Sequence, residues 1–294
     1  MKGQLKTVAL LGLLTGLLVV IGYSIAGSQG AVFGLVMAAF TNFGSWFYSD
    51  KIALSAYRAQ PIDRQQAPAV YDMVEKLANK ADIPMPGVYV VPGQAANAFA
   101  TGRDPEHAAV AVTEGIVSAL SSEELEGVLA HELTHIINRD TLTQAVAATL
   151  GGAVAFIAQM LQYSMFFGGN RNRDGGGGAN PLALIATIFL APMAATIIQM
   201  GISRTREFAA DAGAAKLTGN PRALANALKR LEASAQRLPM QANPAFEPLL
   251  IVNALPQQMF RSLFSTHPST DDRVARLLEI EQDLSTGQGV SVSL

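Results

Sequence analysis

Three long stretches of the sequence contain no charged residue, and they constrain the fold more than any other feature. These stretches are residues 7–49, 141–170 and 175–203. A helix needs about 20 apolar residues to cross the hydrocarbon core of a bilayer, so each stretch can hold at least one membrane span. The whole chain of 294 residues is 50% hydrophobic and only 15% charged, which excludes a disordered chain and argues against a simple soluble enzyme.

The first charge-free stretch predicts two spans that form a hairpin. Residues 27–30 are rich in glycine and separate two apolar segments, 7–26 and 31–49. The aromatic residues 46–48 close the second segment, as is typical of a span that ends at the membrane interface. A cleaved signal peptide is an alternative, because two lysines precede the apolar run and residues 24–26 resemble a small-residue cleavage site. The second apolar segment, which follows with almost no spacer, argues against it.

The other two stretches predict a second hairpin with spans at 142–167 and 181–203. A glycine-rich loop at 168–180 joins them, and such a loop is typical of a flexible connector. Buried core helices are an alternative interpretation, because several glutamines reduce the apolar character of these segments and Pro192 interrupts the last one. Four transmembrane helices in two hairpins are therefore expected, next to a polar domain.

The basic residues predict how these spans are oriented. Of the 21 Lys and Arg residues, only 2 lie in the glycine-rich loop, and the other 19 lie in the tail 1–6 and in the polar segments 50–140 and 204–284. The positive-inside rule then places both termini and the polar segments in the cytoplasm. Residues 285–294 have the composition of a flexible tail.

The polar segments predict a mostly helical α+β fold with a small β-sheet. Apolar residues at helical spacing indicate a helix over 66–80. Three short runs bounded by Pro and Gly turns, at 87–91, 97–101 and 108–112, predict strands. Ser121 is followed three residues later by Glu124, which forms a capping box and predicts the start of the next helix.

That next helix contains the pattern H-E-x-x-H, at His131, Glu132 and His135. Residues four apart project from the same face of a helix, so both histidines can bind one Zn²⁺ while Glu132 takes a proton from the attacking water. Cysteine is absent, and any metal must therefore be held by histidines and carboxylates. The alternative is two surface histidines on an amphipathic helix.

A third metal ligand is expected just after the last charge-free stretch. Glu207 and Asp211 are again four residues apart, so one can bind the metal while the other orients a ligand histidine. His267 and His107 are competing candidates, as are other carboxylates. His107 follows Pro105 and Glu106 and has the context of a solvated turn residue.

The position of these residues relative to the spans agrees with a shared metal. His135 and Glu207 can bind one zinc only if the chain between them crosses the membrane an even number of times, and two apolar segments satisfy this condition. Both residues lie close in sequence to a span, so the site is expected near the membrane surface. Arg204 and Arg206 are equally consistent with interface anchors and with helpers in the chemistry.

This set of motifs resembles the HtpX-type integral-membrane zinc metallopeptidases, a family that includes the CaaX-processing proteases. The resemblance covers nearly the whole chain. It rests on the two pairs of apolar spans and on the motifs HELTH at 131–135, Glu207-x-x-x-Asp211, His267-Pro268 with Arg273 six residues after the histidine, and Asn97-Ala98-Phe99-Ala100.

The resemblance implies roles for these residues. It implies a zincin-like protease domain with one Zn²⁺ held by His131, His135 and Glu207, and with Asp211 supporting a zinc-bound histidine. It also implies that Asn97, Ala98 and Phe99 belong to an edge strand that lies along the substrate cleft. By the same resemblance, His267 and Arg273 lie near the metal and steady the substrate or transition state.

The resemblance further implies a zinc endopeptidase of the bacterial inner membrane that cleaves misfolded or damaged membrane proteins as part of a stress response. Its expected partners are these substrates, the lipid bilayer and other components of membrane quality control. A specific processing peptidase, for example of the CaaX type, and a non-enzymatic scaffold or chaperone with structural zinc are the alternatives. Nucleic acid is not expected, because the net charge is −2 and no dense basic run occurs.

Overall fold

The computed structural model describes residues 2–151, 204–238, 240, 249–251 and 268–286. The predicted second hairpin, with its glycine-rich loop, lies outside the described residues except for the helical residues 141–151. His267 and most of the predicted tail also lie outside them. The described part is mostly helical and contains one small mixed sheet, which confirms the predicted α+β class.

The N-terminal hairpin is formed by helix α1, Lys2–Phe47, which breaks at Ala26 and Gly27. Gly27 has a φ of +59°, a conformation that favours glycine, and the predicted turn at 27–30 is therefore shorter and earlier than expected. The two arms contact each other closely, because a Cβ atom on Gly34 would lie 2.3 Å from the carbonyl oxygen of Leu18. Small residues thus allow the arms to pack backbone against backbone, as is common between membrane helices.

By length and composition, Ala26–Phe47 is long and apolar enough to cross a bilayer, whereas the apolar segment Thr7–Val20 is shorter than a full span. The hairpin packs against the helical residues 141–151 through a small apolar cluster. At one end of this contact the hydroxyl groups of Thr7 and Thr143 lie 2.9 Å apart. The start of α1 and the start of the third apolar segment are therefore neighbours.

Helix α2, Ser49–Ala56, follows the hairpin after a break and was not expected from the charge pattern. Its buried residues pack with Phe99 and with the alanines of the sheet. The end of α1 also contacts the sheet region, because Arg103 lies over the Phe47 ring at 4.7 Å and donates a hydrogen bond to the Phe47 carbonyl. The hairpin is thus attached to the polar domain at the interface end of α1.

The sheet has four strands in the order β1-β2-β4-β3. The three predicted strands are confirmed to within one residue, and the two-residue β1 is an addition. β2 pairs with β4 in parallel, whereas β1 and β3 pair with their neighbours antiparallel. β3 is therefore at one end of the sheet. The strands are β1 Gln60–Pro61, β2 Gly87–Val91, β3 Ala98–Gly102 and β4 Ala108–Thr113.

Helix α5 is the central helix of the polar domain and packs on the sheet and on the helices around it. It begins with the predicted capping box, in which Ser121 and Glu124 bond to each other's backbone. The predicted helix at 66–80 begins two residues later than expected, with Pro68 in its first turn. The helices are α3 Pro68–Lys80, α4 Glu114–Ala119, α5 Ser122–Ile137, α6 Arg204–Thr218, α7 Pro221–Arg237 and α8 Thr270–Thr286.

Candidate metal centre

Helices α5 and α6 approach each other closely, and this contact forms the candidate metal centre. A Cβ atom on Gly213 of α6 would lie 2.3 Å from a methyl carbon of Thr134 on α5. The neighbouring α6 residues that face inward are mostly alanines, which keep the two backbones near each other. Because of this approach, Glu207 on the first turns of α6 reaches the histidines of the H-E-x-x-H motif.

His131, His135 and Glu207 converge on one point in the interior. The Nε2 atoms of the two histidines lie 3.2 Å apart. The carboxylate oxygens of Glu207 lie 3.7 Å from His131 Nε2 and 3.6 Å from His135 Nε2. All three side chains are buried, so the predicted ligand set is brought together in space.

The donor atoms of this cluster fit a tetrahedral metal ion. Zinc binds histidine nitrogen and carboxylate oxygen at about 2.0–2.2 Å, which separates neighbouring ligand atoms by about 3.3 Å in a tetrahedral site. Each imidazole directs Nδ1 to a carboxylate, and a neutral ring that donates from Nδ1 has a lone pair on Nε2. Two lone pairs and a carboxylate that face one buried space repel each other, and a cation between them removes the repulsion.

His131 is supported by Asp211 and Arg273. The Oδ1 atom of Asp211 lies 2.9 Å from His131 Nδ1. The support of a zinc-bound histidine by Asp211 stays a prediction. Arg273 donates two hydrogen bonds to the Asp211 carboxylate, at 2.8 and 2.7 Å, and a third to the carbonyl of Ile251. The buried Arg273 therefore holds Asp211 against His131. Its predicted contact with substrate or transition state stays a prediction.

His135 has a comparable support that no sequence motif predicted. The Oδ2 atom of Asp140 lies 3.4 Å from His135 Nδ1. Arg206 in turn lies 3.8 Å from the other carboxylate oxygen of Asp140. The side chain of Arg206 is 14% exposed, whereas Arg204 is exposed to solvent. Asp140 follows His135 by five residues, and this spacing was the available signal.

Glu132 lies in the same buried space as the three candidate ligands. Burial raises its pKa to about 7, and the charge of Glu207 adds to the effect, although His135 and a backbone hydrogen bond from Ala100 of β3 oppose it. A carboxylate whose pKa lies near neutrality is suited to take up and release a proton at physiological pH. Strand β3 thus helps to position the expected general base.

The pKa values of the two histidines shift in opposite directions. Burial lowers the pKa of His131 to about 4, although the hydrogen bond with Asp211 opposes this effect. Burial also disfavours the charged form of His135, but the hydrogen bond with Asp140 and the charges of Glu207 and Glu132 outweigh it and raise the pKa. A neutral imidazole is the form that binds metal, so the low pKa of His131 favours a ligand role.

The candidate substrate strand is largely buried. Asn97 precedes β3, and its side-chain oxygen accepts a hydrogen bond from the backbone N–H of Ile251. The same N–H donates to the carbonyl of Ala98, and Phe99 packs against Tyr57 with ring centroids 5.0 Å apart. The substrate role of Asn97, Ala98 and Phe99 stays a prediction.

The competing third-ligand candidates are not part of the described cluster. His107 lies in an exposed turn, where its ring contacts Asp104 at 2.6 Å, as expected for a solvated turn residue. His267 lies outside the described residues, and its catalytic role stays a prediction. Glu207 is the residue that the fold places beside the two histidines.

Sequence comparisons agree with this geometry. The model of Peptidase family M48 matches residues 64–281. A protein named Protease HtpX homolog from Trichormus variabilis is 63% identical over 287 residues, which cover 97% of this chain and 99% of that protein. The chain belongs to peptidase family M48. A Protease HtpX homolog from Sulfurihydrogenibium sp. is 49% identical over 295 residues and shows the same full-length coverage, with 98% of this chain and 100% of that protein.

A solved structure supports the fold assignment of this M48 chain. The structure titled Crystal Structure of S. mikatae Ste24p is similar with a TM-score of 0.52 and 18% sequence identity. The similarity covers 93% of this chain and 64% of that one, and it concerns the fold alone. Together with the buried ligand cluster, family membership identifies the chain as a membrane metallopeptidase.

Proposed function

We propose that this M48 peptidase is a zinc-dependent endopeptidase of the bacterial inner membrane that cleaves misfolded or damaged membrane proteins on the cytoplasmic side. One observation carries the proposal: a buried group of two histidines and a glutamate lies beside a buried general base, close to helices that pack against an apolar hairpin. The chemistry, the location of the site and the choice of substrate are supported by different features.

Zinc is the metal that the donor set favours. His131, His135 and Glu207 offer two nitrogens and one oxygen, a donor set that is typical of catalytic zinc sites in peptidases. When bound, zinc supplies a Lewis acid that polarises the scissile carbonyl and activates water. The three side chains would hold the ion, and Asp211 fixes the ring of His131 so that Nε2 keeps its direction.

Glu132 is the residue that moves the proton. Its carboxylate accepts a backbone hydrogen bond from Ala100, which orients it beside the ligand histidines. In the proposed reaction Glu132 removes a proton from the attacking water and later delivers it to the leaving amine. No covalent link between enzyme and substrate is needed in this reaction.

The membrane location is supported by the hairpin and by the path of the chain after α5. The hairpin exposes many large apolar side chains, a surface that lipid can cover. The helical residues 141–151 begin within a few residues of His135 and pack against α1. We propose that residues 142–167 and 181–203 complete a four-span topology with both termini in the cytoplasm.

Main-chain recognition supports a substrate class of unfolded segments. An extended peptide that pairs with an end strand is held through backbone hydrogen bonds, which depend little on side-chain sequence. β3 is an end strand, and Ala100 on this strand contacts the proposed base. We propose that the segment Asn97, Ala98 and Phe99 contributes main-chain groups that hold such a peptide and that other membrane quality-control proteins deliver it.

The proposal is tested with purified wild-type enzyme in liposomes that also contain a membrane protein in a stable and in a destabilised version. The two versions differ by one core substitution, so that their cleavage sites are the same. We expect zinc-dependent cleavage of the destabilised version at least tenfold faster than of the stable one. Glu132→Gln enzyme is the control and should cleave neither.

Two outcomes would contradict the substrate class. Equal cleavage rates for the stable and the destabilised version would show that unfolding does not select the substrate. Cleavage limited to one defined C-terminal peptide would favour a processing peptidase such as the CaaX type. Equal zinc-dependent cleavage by Glu132→Gln would instead contradict the proposed chemistry.

A further inference from the structure

We propose that Asp140 and Arg206 form a second positioning pair that orients His135 for metal binding. Asp211 and Arg273 support His131, whereas Asp140 and Arg206 lie beside the other ligand histidine, His135. This inference rests on the proposed zinc site, but it does not depend on the substrate class.

The two ligand histidines have the same arrangement of contacts. In each ring Nε2 faces the point shared with Glu207, and Nδ1 faces a carboxylate. Each carboxylate is in turn paired with an arginine, through Arg273 in one case and through Arg206 in the other. A carboxylate at Nδ1 fixes the tautomer and raises the basicity of the metal-binding nitrogen.

A turn at the end of α5 places Asp140 beside His135. Arg139 has a φ of +58°, and its N–H donates to the carbonyl of Ile136 at 3.0 Å. The N–H of Asp140 donates to the carbonyl of His135 at 2.9 Å. This pair of bonds is the Schellman motif, which here returns the chain towards the helix. The Asp140 side chain therefore reaches the ring of a residue one turn earlier.

The neighbouring residue fixes this turn in the tertiary structure. The hydroxyl of Thr141 donates a buried hydrogen bond of 2.8 Å to the carbonyl of Gly102 at the end of β3. The backbone around Asp140 is thus attached both to α5 and to the sheet. An aspartate held in this way keeps its carboxylate in one place, as a positioning role requires.

Arg206 lies between the Asp140 carboxylate and Glu207, the third candidate metal ligand. It directly precedes Glu207 on α6, and its mostly buried guanidinium lies 3.8 Å from Asp140. Within the part of the chain that the structure describes, its three side-chain nitrogens make no hydrogen bond. A desolvated guanidinium requires a nearby negative charge, and Asp140 provides one. The charge of Arg206 therefore lies between the carboxylate that faces His135 and the neighbouring ligand Glu207.

The alternative role of Asp140 is that of a helix cap. It directly precedes the helical residues 141–151, and aspartate is favoured at such a position. Serine and asparagine also cap helices well, but the serine hydroxyl is too short to reach the ring of His135. Asparagine keeps the reach and the acceptor oxygen and removes the charge. These substitutions separate capping from positioning.

The test measures the zinc affinity of metal-free, detergent-purified enzyme by competition with a chromophoric chelator. The variants are Asp140→Ser, Asp140→Asn and Arg206→Gln, with Arg204→Gln as the matched control on an exposed arginine of the same helix. We expect zinc affinity to fall about 10- to 100-fold for Asp140→Ser, as is typical when the partner of a ligand histidine is removed. Asp140→Asn and Arg206→Gln should show smaller losses, and Arg204→Gln should bind zinc as the wild type does.

A double variant and the thermal stability of the metal-free proteins complete the test. Arg206→Gln should weaken zinc binding less in the Asp140→Ser background than in the wild type, because the two residues act through one contact. The metal-free melting temperature of Asp140→Asn should stay near that of the wild type. When the Asp140→Asn enzyme is loaded with zinc, its kcat should fall by a larger factor than its KM rises.

The outcomes separate this proposal from the proposed function. If the wild type binds no zinc, the proposed metal centre fails. If the wild type binds zinc and the zinc affinity of Asp140→Ser is within twofold of the wild-type value, Asp140 acts only as a cap and the positioning proposal is overturned. If Asp140→Ser does not fold, Asp140→Asn and Arg206→Gln decide, and zinc affinities equal to that of Arg204→Gln overturn the proposal.

Discussion

The metal centre and the N-terminal hairpin both reverse the usual distribution of residues, in opposite ways. The centre buries ionisable side chains that are normally at the surface, each 5% exposed or less. The hairpin exposes large apolar side chains, with Val20, Phe33 and Phe40 between 63% and 72% exposed. Each reversal indicates a partner, which is a cation for the centre and lipid for the hairpin. The buried ionisable residues are His131, Glu132, His135, Glu207, Asp211 and Arg273.

The difference between the two regions lies in how their contacts depend on geometry. Buried charges are stabilised by specific partners at hydrogen-bond distance, so the loss of one partner leaves another charge uncompensated. Apolar contact with lipid is non-directional and spread over many side chains. Single substitutions are therefore expected to be costly in the centre and mild on the outer face of the hairpin.

Among changes in these two regions, Arg273→Leu is expected to have the largest effect on folding. This change leaves Asp211 buried without its cation, and loss of one partner of a buried pair typically costs about 3–5 kcal/mol. Urea unfolding of the metal-free protein in detergent measures the cost. The matched control is Arg222→Leu, which removes a similar two-bond pair with Glu281 at the surface and should change the stability very little. Equal costs for the two variants would contradict the distinction between buried and exposed charges.

A pH-dependent effect is expected for Glu132→Gln in the metal-free protein. Because burial raises the folded-state pKa of Glu132 from an ordinary 4.5 to about 7, the stability associated with its neutral form is lost as the pH rises through this window. The Gln variant should therefore gain stability relative to wild type between pH 4.5 and 7, by up to about 3 kcal/mol, and then level off. Unfolding of both proteins at several pH values measures the difference. A difference that does not vary with pH would show that Glu132 is not desolvated.

Close packing inside the hairpin is tested by Gly34→Ala. The added methyl group would meet the carbonyl of Leu18 and should separate the arms, at a cost of about 1–3 kcal/mol. Gly44→Ala is the control, because a Cβ atom there has no neighbour within 4 Å, and its effect should be neutral or slightly stabilising. Thermal unfolding in detergent compares the two. Equal behaviour would mean that the arms do not touch at Gly34.

The smallest effect is expected for Phe40→Ala on the outer face of the hairpin. The ring is 72% exposed, so its removal should change the unfolding free energy in detergent by less than about 0.5 kcal/mol. Phe99→Ala removes a ring that is 1% exposed and should cost about 3–5 kcal/mol. A large cost for Phe40→Ala would indicate that protein, rather than detergent or lipid, covers this face.

Elements with a strong local pattern could be predicted from the sequence. β2 was predicted to the residue because a short apolar run is bounded by turn residues, and α5 was predicted from its capping box. β1 could not be predicted, because two residues are too short for a strand pattern. They form a strand only because they pair with β2. α2 was missed because neither glycine nor proline lies between Phe47 and Ala56, so no turn residue separates α2 from the span before it.

The metal ligands of the candidate site could be predicted from the sequence, but not all of the residues that orient those ligands. His131 and His135 share one helix, so their spacing was sufficient, and Glu207 followed from the resemblance and the topology. Asp140 and Arg206 are far apart in sequence and meet only because α6 packs on α5. Such a contact has no local signal, since it depends on the whole path of the chain between them.

The central claim is that the buried ionisable cluster binds a catalytic metal and that Glu132 acts on the substrate rather than on the metal. The most direct measurement determines zinc content and peptide cleavage together for the wild type, Glu132→Gln and Glu207→Ala. We predict one zinc per chain for the wild type and for Glu132→Gln, cleavage by the wild type alone, and weak zinc binding by Glu207→Ala. Cleavage by Glu132→Gln at the wild-type rate, or unchanged zinc affinity in Glu207→Ala, would contradict this account.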